Sequence, residues 1–280
     1  MQRTCPVGNV VIGAGQPLAI IAGPCVLESL ELGMEIGRVV REACREAGLG
    51  YVFKASYDKA NRSSIHSARG PGLEKGVEWL GRIGRELGVP VTTDIHEPGQ
   101  AEPVARVVDL LQIPAFLCRQ TDLLQAAGLA AKQHGRAVNV KKGQFLAPRA
   151  MAGAVKKLSE AGCERVMLTE RGTTFGYGRL VNDFLGLGDM MELGVPGGAP
   201  PVCFDVTHST QTPAENDTTG GRPDRAPLLA KAAAAAGVHA LFIETHPEPA
   251  KAMSDASTML ALAGMRELLM RVGKIHRAGA

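Results

Sequence analysis

Val202-Cys-Phe-Asp-Val206, Arg225-Ala-Pro-Leu-Leu-Ala-Lys-Ala-Ala-Ala-Ala-Ala236 and Ala240-Leu-Phe-Ile-Glu244 follow one another as an apolar run, a helical pattern and a second apolar run. Both runs are short and almost wholly apolar, as strands buried on both faces are, and the alanine run suits close packing of a helix on a sheet. The same alternation recurs outward in both directions. Strand candidates are Leu18 to Ala22, Tyr51 to Ala55, Val91 to Ile95, Leu110 to Pro114, Ala137 to Lys141 and Arg165 to Thr169, which with the two quoted above make eight. Helical spacing marks Leu30 to Ala47, Gly72 to Leu87, Thr121 to Gln133, Ala150 to Ala161, Arg225 to Ala236 and Asp255 to Arg271.

Eight βα units predict an α/β fold of the (β/α)8 TIM-barrel class rather than an open doubly wound sheet, and no G-x-G-x-x-G follows the first strand. Residues 1 to 16 precede the first unit, and Val7 to Ile12, broken by Gly8 and Asn9, read as a short β-hairpin capping the bottom of the barrel. A length of 280 residues suits one catalytic domain over 1–280.

The 31 basic and 28 acidic residues nearly balance, unlike a nucleic-acid binder. No apolar run reaches the ~20 residues that span a bilayer and no secretory signal opens the chain, so a cytoplasmic protein with no membrane partner is expected. The six cysteines lie far apart, without the spacing of a disulfide framework or a structural zinc module. Cys118, Cys163 and Cys203 are expected to be core thiols.

Barrel enzymes place their chemistry at the C-terminal ends of the strands. Here those ends carry Cys25, Lys54 with Ser56, Asp94 with His96, Gln112, Lys141 with Lys142, Glu170 with Arg171, Asp205 with His208, and Glu244 with His246. Taken singly, a Cys or His is more often a packed residue than a ligand. Cys25, His208 and Glu244 each follow a strand, however, and with Asp255 they make a mixed sulfur, nitrogen and oxygen set suited to Fe²⁺, Zn²⁺ or Mn²⁺ rather than Mg²⁺. His96 and His246 are competing candidates. The run from Lys54 to Ser64 combines three cations with hydroxyls and an amide, as a phosphate site does, and Lys141 and Arg171 add cations from other strands. Two groups of cations suggest two phosphorylated substrates. The polar stretch from Asn216 to Asp224 reads as a loop over the mouth.

The phrases Ile21-Ala-Gly-Pro-Cys-Val-Leu-Glu-Ser29, Phe53-Lys-Ala-Ser-Tyr-Asp-Lys-Ala-Asn-Arg-Ser-Ser64, Thr93-Asp-Ile-His-Glu97, Asn139-Val-Lys-Lys-Gly-Gln-Phe145, Phe204-Asp-Val-Thr-His208 and Ile243-Glu-Thr-His-Pro-Glu248 carry a resemblance over nearly the whole chain. They resemble the 3-deoxy-D-manno-octulosonate 8-phosphate synthases, homotetramers that condense phosphoenolpyruvate with D-arabinose 5-phosphate in lipopolysaccharide biosynthesis. Cys at position 25, where a metal-independent branch has Asn, implies the metal-dependent branch, with Cys25, His208, Glu244 and Asp255 as ligands. The resemblance further implies that Lys54, Ser56, Lys59, Gln112, Ala115, Lys141 and Arg171 bind phosphoenolpyruvate. Asn61, Arg62 and Ser63 would hold the pentose phosphate, joined by Arg119 from a neighbouring subunit. Lys141, Asp94 and His208 are the candidates for catalysis.

Two other readings compete. The sister heptulosonate 7-phosphate synthases use erythrose 4-phosphate with a Lys-Pro-Arg-Thr-Ser type run, where this chain has Lys59-Ala-Asn-Arg-Ser-Ser64. A non-catalytic sugar-phosphate-binding barrel would keep the cations but have no need of four converging ligands.

Overall fold

The computed structural model describes residues 2–61, 68–174, 176–213 and 220–279. The eight apolar runs form parallel strands, Ala19–Gly23, Gly50–Lys54, Val91–Asp94, Leu110–Ile113, Ala137–Lys141, Val166–Glu170, Val202–Asp205 and Ala240–His246, each paired with the next. The eighth closes the ring. It pairs with the seventh through Leu241 opposite Phe204 and with the first through Leu241 opposite Ile20. The (β/α)8 barrel expected from the alternation is therefore present. Gly23 is where the first strand needs glycine, because a Cβ there would lie 2.0 Å from the carbonyl oxygen of Lys54.

The N-terminal hairpin, Cys5–Val7 against Val10–Ile12, turns at Gly8, whose φ of 53° favours glycine. Cys5, Val7 and Ile12 pack against Ala19, Leu110, Ala137 and Ala240 at the starts of barrel strands, so the hairpin seals the bottom of the barrel. A second, larger apolar layer lies between the barrel and the surrounding helices. All six cysteines are buried and unpaired, and no helix among the described residues is long and apolar enough to cross a membrane.

The helices Leu30–Ala47, Leu73–Leu87, Thr121–His134, Ala152–Glu160 and Ala226–Ala235 lie where their periodicity placed them. The expected helix Asp255 to Arg271 is corrected to Met265–Gly279. Asp255 has φ 53°, outside the helical region, and its carbonyl accepts the amides of Thr258 and Met259 in a turn. Ser, Asp and Thr favour such local turns over helix interior. Two further helices, Pro98–Ala105 and Phe184–Met191, had no legible period, being eight residues each and broken by Pro or Gly. Local caps hold them: the Gln100 side chain accepts from the Glu97 amide, and Asp183 from the Leu185 amide. In the expected mouth loop, residues 216–219 lie outside the described residues. Its remainder is ordered, with Gly220–Gly221 paired to Gln211–Thr212 and a 3-10 turn at Pro223–Arg225.

Candidate active site

Strand alternation decides which side chains enter the barrel. Along the second strand Val52 and Lys54 share the inner phase, along the fifth Ala137, Asn139 and Lys141, and along the eighth Ala240, Phe242 and Glu244. Apolar members of these series fill the lower interior, and the polar members at the C-terminal ends surround a cavity of about 750 Å³.

At one corner of this cavity, ligand atoms of Cys25, Glu244 and Asp255 lie within 4.8 Å of one another. Cys25 Sγ is 3.1 Å from Asp255 Oδ2. His208 Nε2 faces the same group, 3.5 Å from Asp255 Oδ2 and 3.8 Å from Glu244 Oε2. The other ring nitrogen, Nδ1, lies 2.9 Å from Asp205 Oδ2, and the His208 amide donates to Asp205 Oδ1. Asp205 thereby turns Nε2 toward the carboxylates. All four donors come from described residues.

The donor set fits a divalent cation. Glu244 Oε2 is buried with no hydrogen-bond partner among the described residues, an arrangement that costs free energy unless something satisfies the oxygen. Burial, then the Glu244 carboxylate, pushes the Cys25 thiol well above its ordinary value. A cation at this corner would reverse that by favouring the thiolate. His246 stays apart, its Nε2 3.7 Å from Glu28 and its Nδ1 accepting the Glu248 amide.

Cations crowd the rest of the interior. Lys54 Nζ donates to Glu244 Oε1 at 2.6 Å and to the Cys25 carbonyl at 2.9 Å. Burial opposes its charge, but Glu244, Cys25 and Asp94 outweigh burial and hold the ammonium above its ordinary value. Lys59 pairs with Asp255 and lies 3.3 Å from Cys25 Sγ. Lys141 Nζ donates to Asp205 Oδ2 at 2.7 Å and sits 3.5 Å from the centre of the Phe242 ring. Arg171 donates through Nη2 to Gln211 at 2.6 Å, while its buried Nη1 has no partner among the described residues. An unpartnered guanidinium donor beside the cavity is available to an anionic ligand.

A chain of hydrogen bonds crosses the interior from the sixth strand toward the second. Thr169 Oγ1 donates to Asn139 Oδ1, Asn139 Nδ2 to Gln112 Oε1, Gln112 Nε2 to Asp94 Oδ1, and Ser56 Oγ to Asp94 Oδ2. Each amide has one orientation that satisfies both neighbours. Enclosure alone would raise Asp94, but the Lys54 and Lys141 ammonium groups outweigh it and hold its carboxyl at about 2.

Of the residues singled out from the sequence, Cys25, Lys54, Ser56, Lys59, Asn61, Asp94, His96, Ala115, Lys141, Arg171, His208, Glu244 and Asp255 line this one cavity, His96 without joining the Cys25, Glu244 and Asp255 group. Gln112 does not line the cavity; it pairs in register with Asp94 and donates to its Oδ1. Arg119 is exposed and does not line the cavity of its own chain. Arg62 and Ser63 lie outside the described residues. Sequence reasoning gave no role to Asp205, Asn139, Thr169 or Gln211. For the first three the period-two phase of their strands was a usable signal; nothing comparable marked Gln211.

The sequence matches the DAHP synthetase I family over residues 2–277. The chain belongs to this family. Relatives named 2-dehydro-3-deoxyphosphooctonate aldolase share about half their residues with it along nearly the full length of both chains. The protein of Nitratidesulfovibrio vulgaris (strain DP4) is 53% identical over 91% of each chain. That of Desulfotalea psychrophila is 49% identical over 96% of this chain and 94% of its own. That of Desulfatibacillum aliphaticivorans is 47% identical over the whole of both.

Proposed function

We propose that the protein is a 3-deoxy-D-manno-octulosonate 8-phosphate synthase, condensing phosphoenolpyruvate, D-arabinose 5-phosphate and water and releasing inorganic phosphate, in lipopolysaccharide biosynthesis. One observation carries the reading: Lys54, Lys59, Lys141 and Arg171 meet the Cys25, His208, Glu244 and Asp255 group around a single cavity at the barrel's C-terminal mouth. The names of the relatives favour the octulosonate branch of the family over the heptulosonate branch. The proposed catalytic unit is the whole chain, acting in the cytoplasm.

The reaction joins C3 of phosphoenolpyruvate to the aldehyde carbon of the pentose, adds water at C2 and breaks the C2–O bond to phosphate. Lys54, Ser56, Lys59, Gln112, Ala115, Lys141 and Arg171 make up the proposed phosphoenolpyruvate pocket, the cations pairing with its carboxylate and phosphate. Asn61 faces the outer cavity, where with Arg62 and Ser63 it would hold the pentose phosphate. Holding both reactants in one enclosed site converts a bimolecular encounter into a positioned one.

Lys141 is the proposed proton-holding group, since its ammonium lies in the cavity wall, hydrogen-bonded to Asp205 and set over the Phe242 face. Asp94 at about 2 is a weak base at neutral pH, so its proposed part is to orient Ser56 and Gln112. Because His208 Nε2 points at two carboxylates, holding a cation is its favoured role over proton transfer. A divalent ion held by Cys25, His208, Glu244 and Asp255, of the Fe²⁺, Zn²⁺ or Mn²⁺ kind, would supply Lewis-acid polarisation and orientation of an oxygen ligand. A homotetramer is proposed in which Arg119, exposed outside its own cavity, reaches the sugar phosphate of a neighbouring subunit.

The deciding assay follows phosphate release from phosphoenolpyruvate with arabinose 5-phosphate or erythrose 4-phosphate, before and after chelation. Turnover with the pentose alone, lost on chelation and restored by Fe²⁺, Zn²⁺ or Mn²⁺, is expected. Turnover with the tetrose would move the protein to the heptulosonate branch, and none with either sugar would favour a binding protein.

A further inference from the structure

Behind the cavity wall lies a second charged group that the proposed reaction does not use. Lys142 and Glu170 are buried, 0% and 3% exposed, with Lys142 Nζ 3.5 Å from Glu170 Oε2. Each is one residue out of phase with an interior cation, Lys142 after Lys141 and Glu170 before Arg171, and neither lines the cavity. A buried ion pair contributes little to stability compared with well-packed apolar side chains of the same volume. Its remaining bonds run to main chain. Lys142 Nζ donates to the carbonyls of Gly143 at 3.3 Å and Leu146 at 3.2 Å, and Glu170 Oε1 accepts the amides of Arg171 at 2.9 Å and Gly172 at 2.6 Å.

The pair therefore grips the first residues of two neighbouring mouth loops. One loop carries Gln144 and the other Arg171 and Thr174, all at the cavity. Two backbone bonds join the segments, from the Lys142 amide to the Thr169 carbonyl at 2.7 Å and from the Thr174 amide to the Gln144 carbonyl at 3.4 Å. With Gly172 at φ 89°, the chain turns sharply directly after Arg171, so the amides held by Glu170 set where that guanidinium starts.

We propose that the Lys142–Glu170 pair is a positioning device for the phosphoenolpyruvate half of the site, fixing the backbone from which Lys141, Gln144 and Arg171 project. The proposal rests on the reading above that Lys141 and Arg171 bind phosphoenolpyruvate. A device of this kind acts on one substrate: displacing a binding group by a fraction of an ångström weakens the ligand it holds and leaves the pentose contacts in place.

The test compares two double variants of the full chain in the metal-loaded enzyme, with thermal unfolding measured for each. Lys142→Met with Glu170→Leu removes both charges together, leaving no buried ion unpaired, and also removes the acceptor for Arg171 and Gly172. Its KM for phosphoenolpyruvate should rise about tenfold or more, with the KM for arabinose 5-phosphate little changed. Lys142→Met with Glu170→Gln keeps a carbonyl acceptor for the two amides, so its rise should be smaller, about threefold, and again confined to phosphoenolpyruvate. Should the first variant not fold, the second carries the test alone.

A wild-type KM for phosphoenolpyruvate in the folded variants overturns the proposal. So does an equal rise in both variants that affects both substrates and tracks lost thermal stability, since that is the mark of general loosening. Arg171→Ala, measured alongside, separates the two levels. If it raises the KM for phosphoenolpyruvate and the double variants do not, only the positioning role fails; if it leaves that KM unmoved, the assignment of Arg171 fails and the positioning role with it.

Discussion

Lys54 Nζ lies 2.6 Å from Glu244 Oε1, and the two side chains are only 2% and 1% exposed. The second and eighth strands, two positions apart around the ring, thus meet through an ion pair inside the barrel that includes one of the proposed metal ligands. Removing one partner leaves the other buried and uncompensated. Lys54→Met should therefore destabilise the chelated protein by about 3–5 kcal/mol, read by denaturant unfolding. A midpoint equal to that of the parent protein would mean that Glu244 is not held there as a carboxylate.

The orphaned Glu244 Oε2 and the Cys25 thiol carry the metal assignment. Cys25→Ala should lose bound divalent metal, measured by elemental analysis of the purified protein, and with it the chelator-sensitive turnover. Full metal content with full activity in that variant would remove Cys25 from the ligand set.

Asp205 accepts from Lys141 and holds His208 at once. In Asp205→Asn an amide replaces the shared carboxylate, leaving both groups less well oriented. Partners of this kind contribute about 10- to 100-fold in metal affinity or activity, and a loss in that range is expected in both. Metal titration and steady-state rates, measured on the same preparation, check it; unchanged affinity with lowered turnover would confine Asp205 to positioning Lys141.

Asp94 supplies a pH dependence whose sign is fixed. Its folded value, about 2, lies below the ordinary 3.8, so the ionised form is favoured by folding. The resulting stabilisation is complete above about pH 4 and is lost as pH falls toward about 2. Acid unfolding of the parent protein should accordingly be steeper through that window than that of Asp94→Asn. Parallel curves would show that Lys54 and Lys141 do not hold the carboxylate in this way.

Much of this was written in local pattern. Eight apolar runs of strand length alternating with helical spacing sufficed for the barrel, because a parallel sheet buried on both faces leaves that signature in one dimension. The helices Pro98–Ala105 and Phe184–Met191 left none, being two turns long and held by caps rather than by an apolar stripe. The helix expected from Asp255 begins only at Met265, because Asp255, left-handed and accepting a turn, is also tied to Cys25 and Lys59, which lie some 200 residues earlier.

By itself, then, the sequence determined the fold class, the hairpin plug and the identity of most of the ionisable groups at the mouth, since residue type and strand-end position are local properties. Tertiary structure alone decided which of those groups face one another. That His208 and not His246 turns toward Glu244 and Asp255, that Asp205 serves Lys141 and His208 together, and that Lys142 and Glu170 brace the wall from behind all depend on barrel closure and strand register. These are distances between residues far apart in the chain, and no periodicity encodes them.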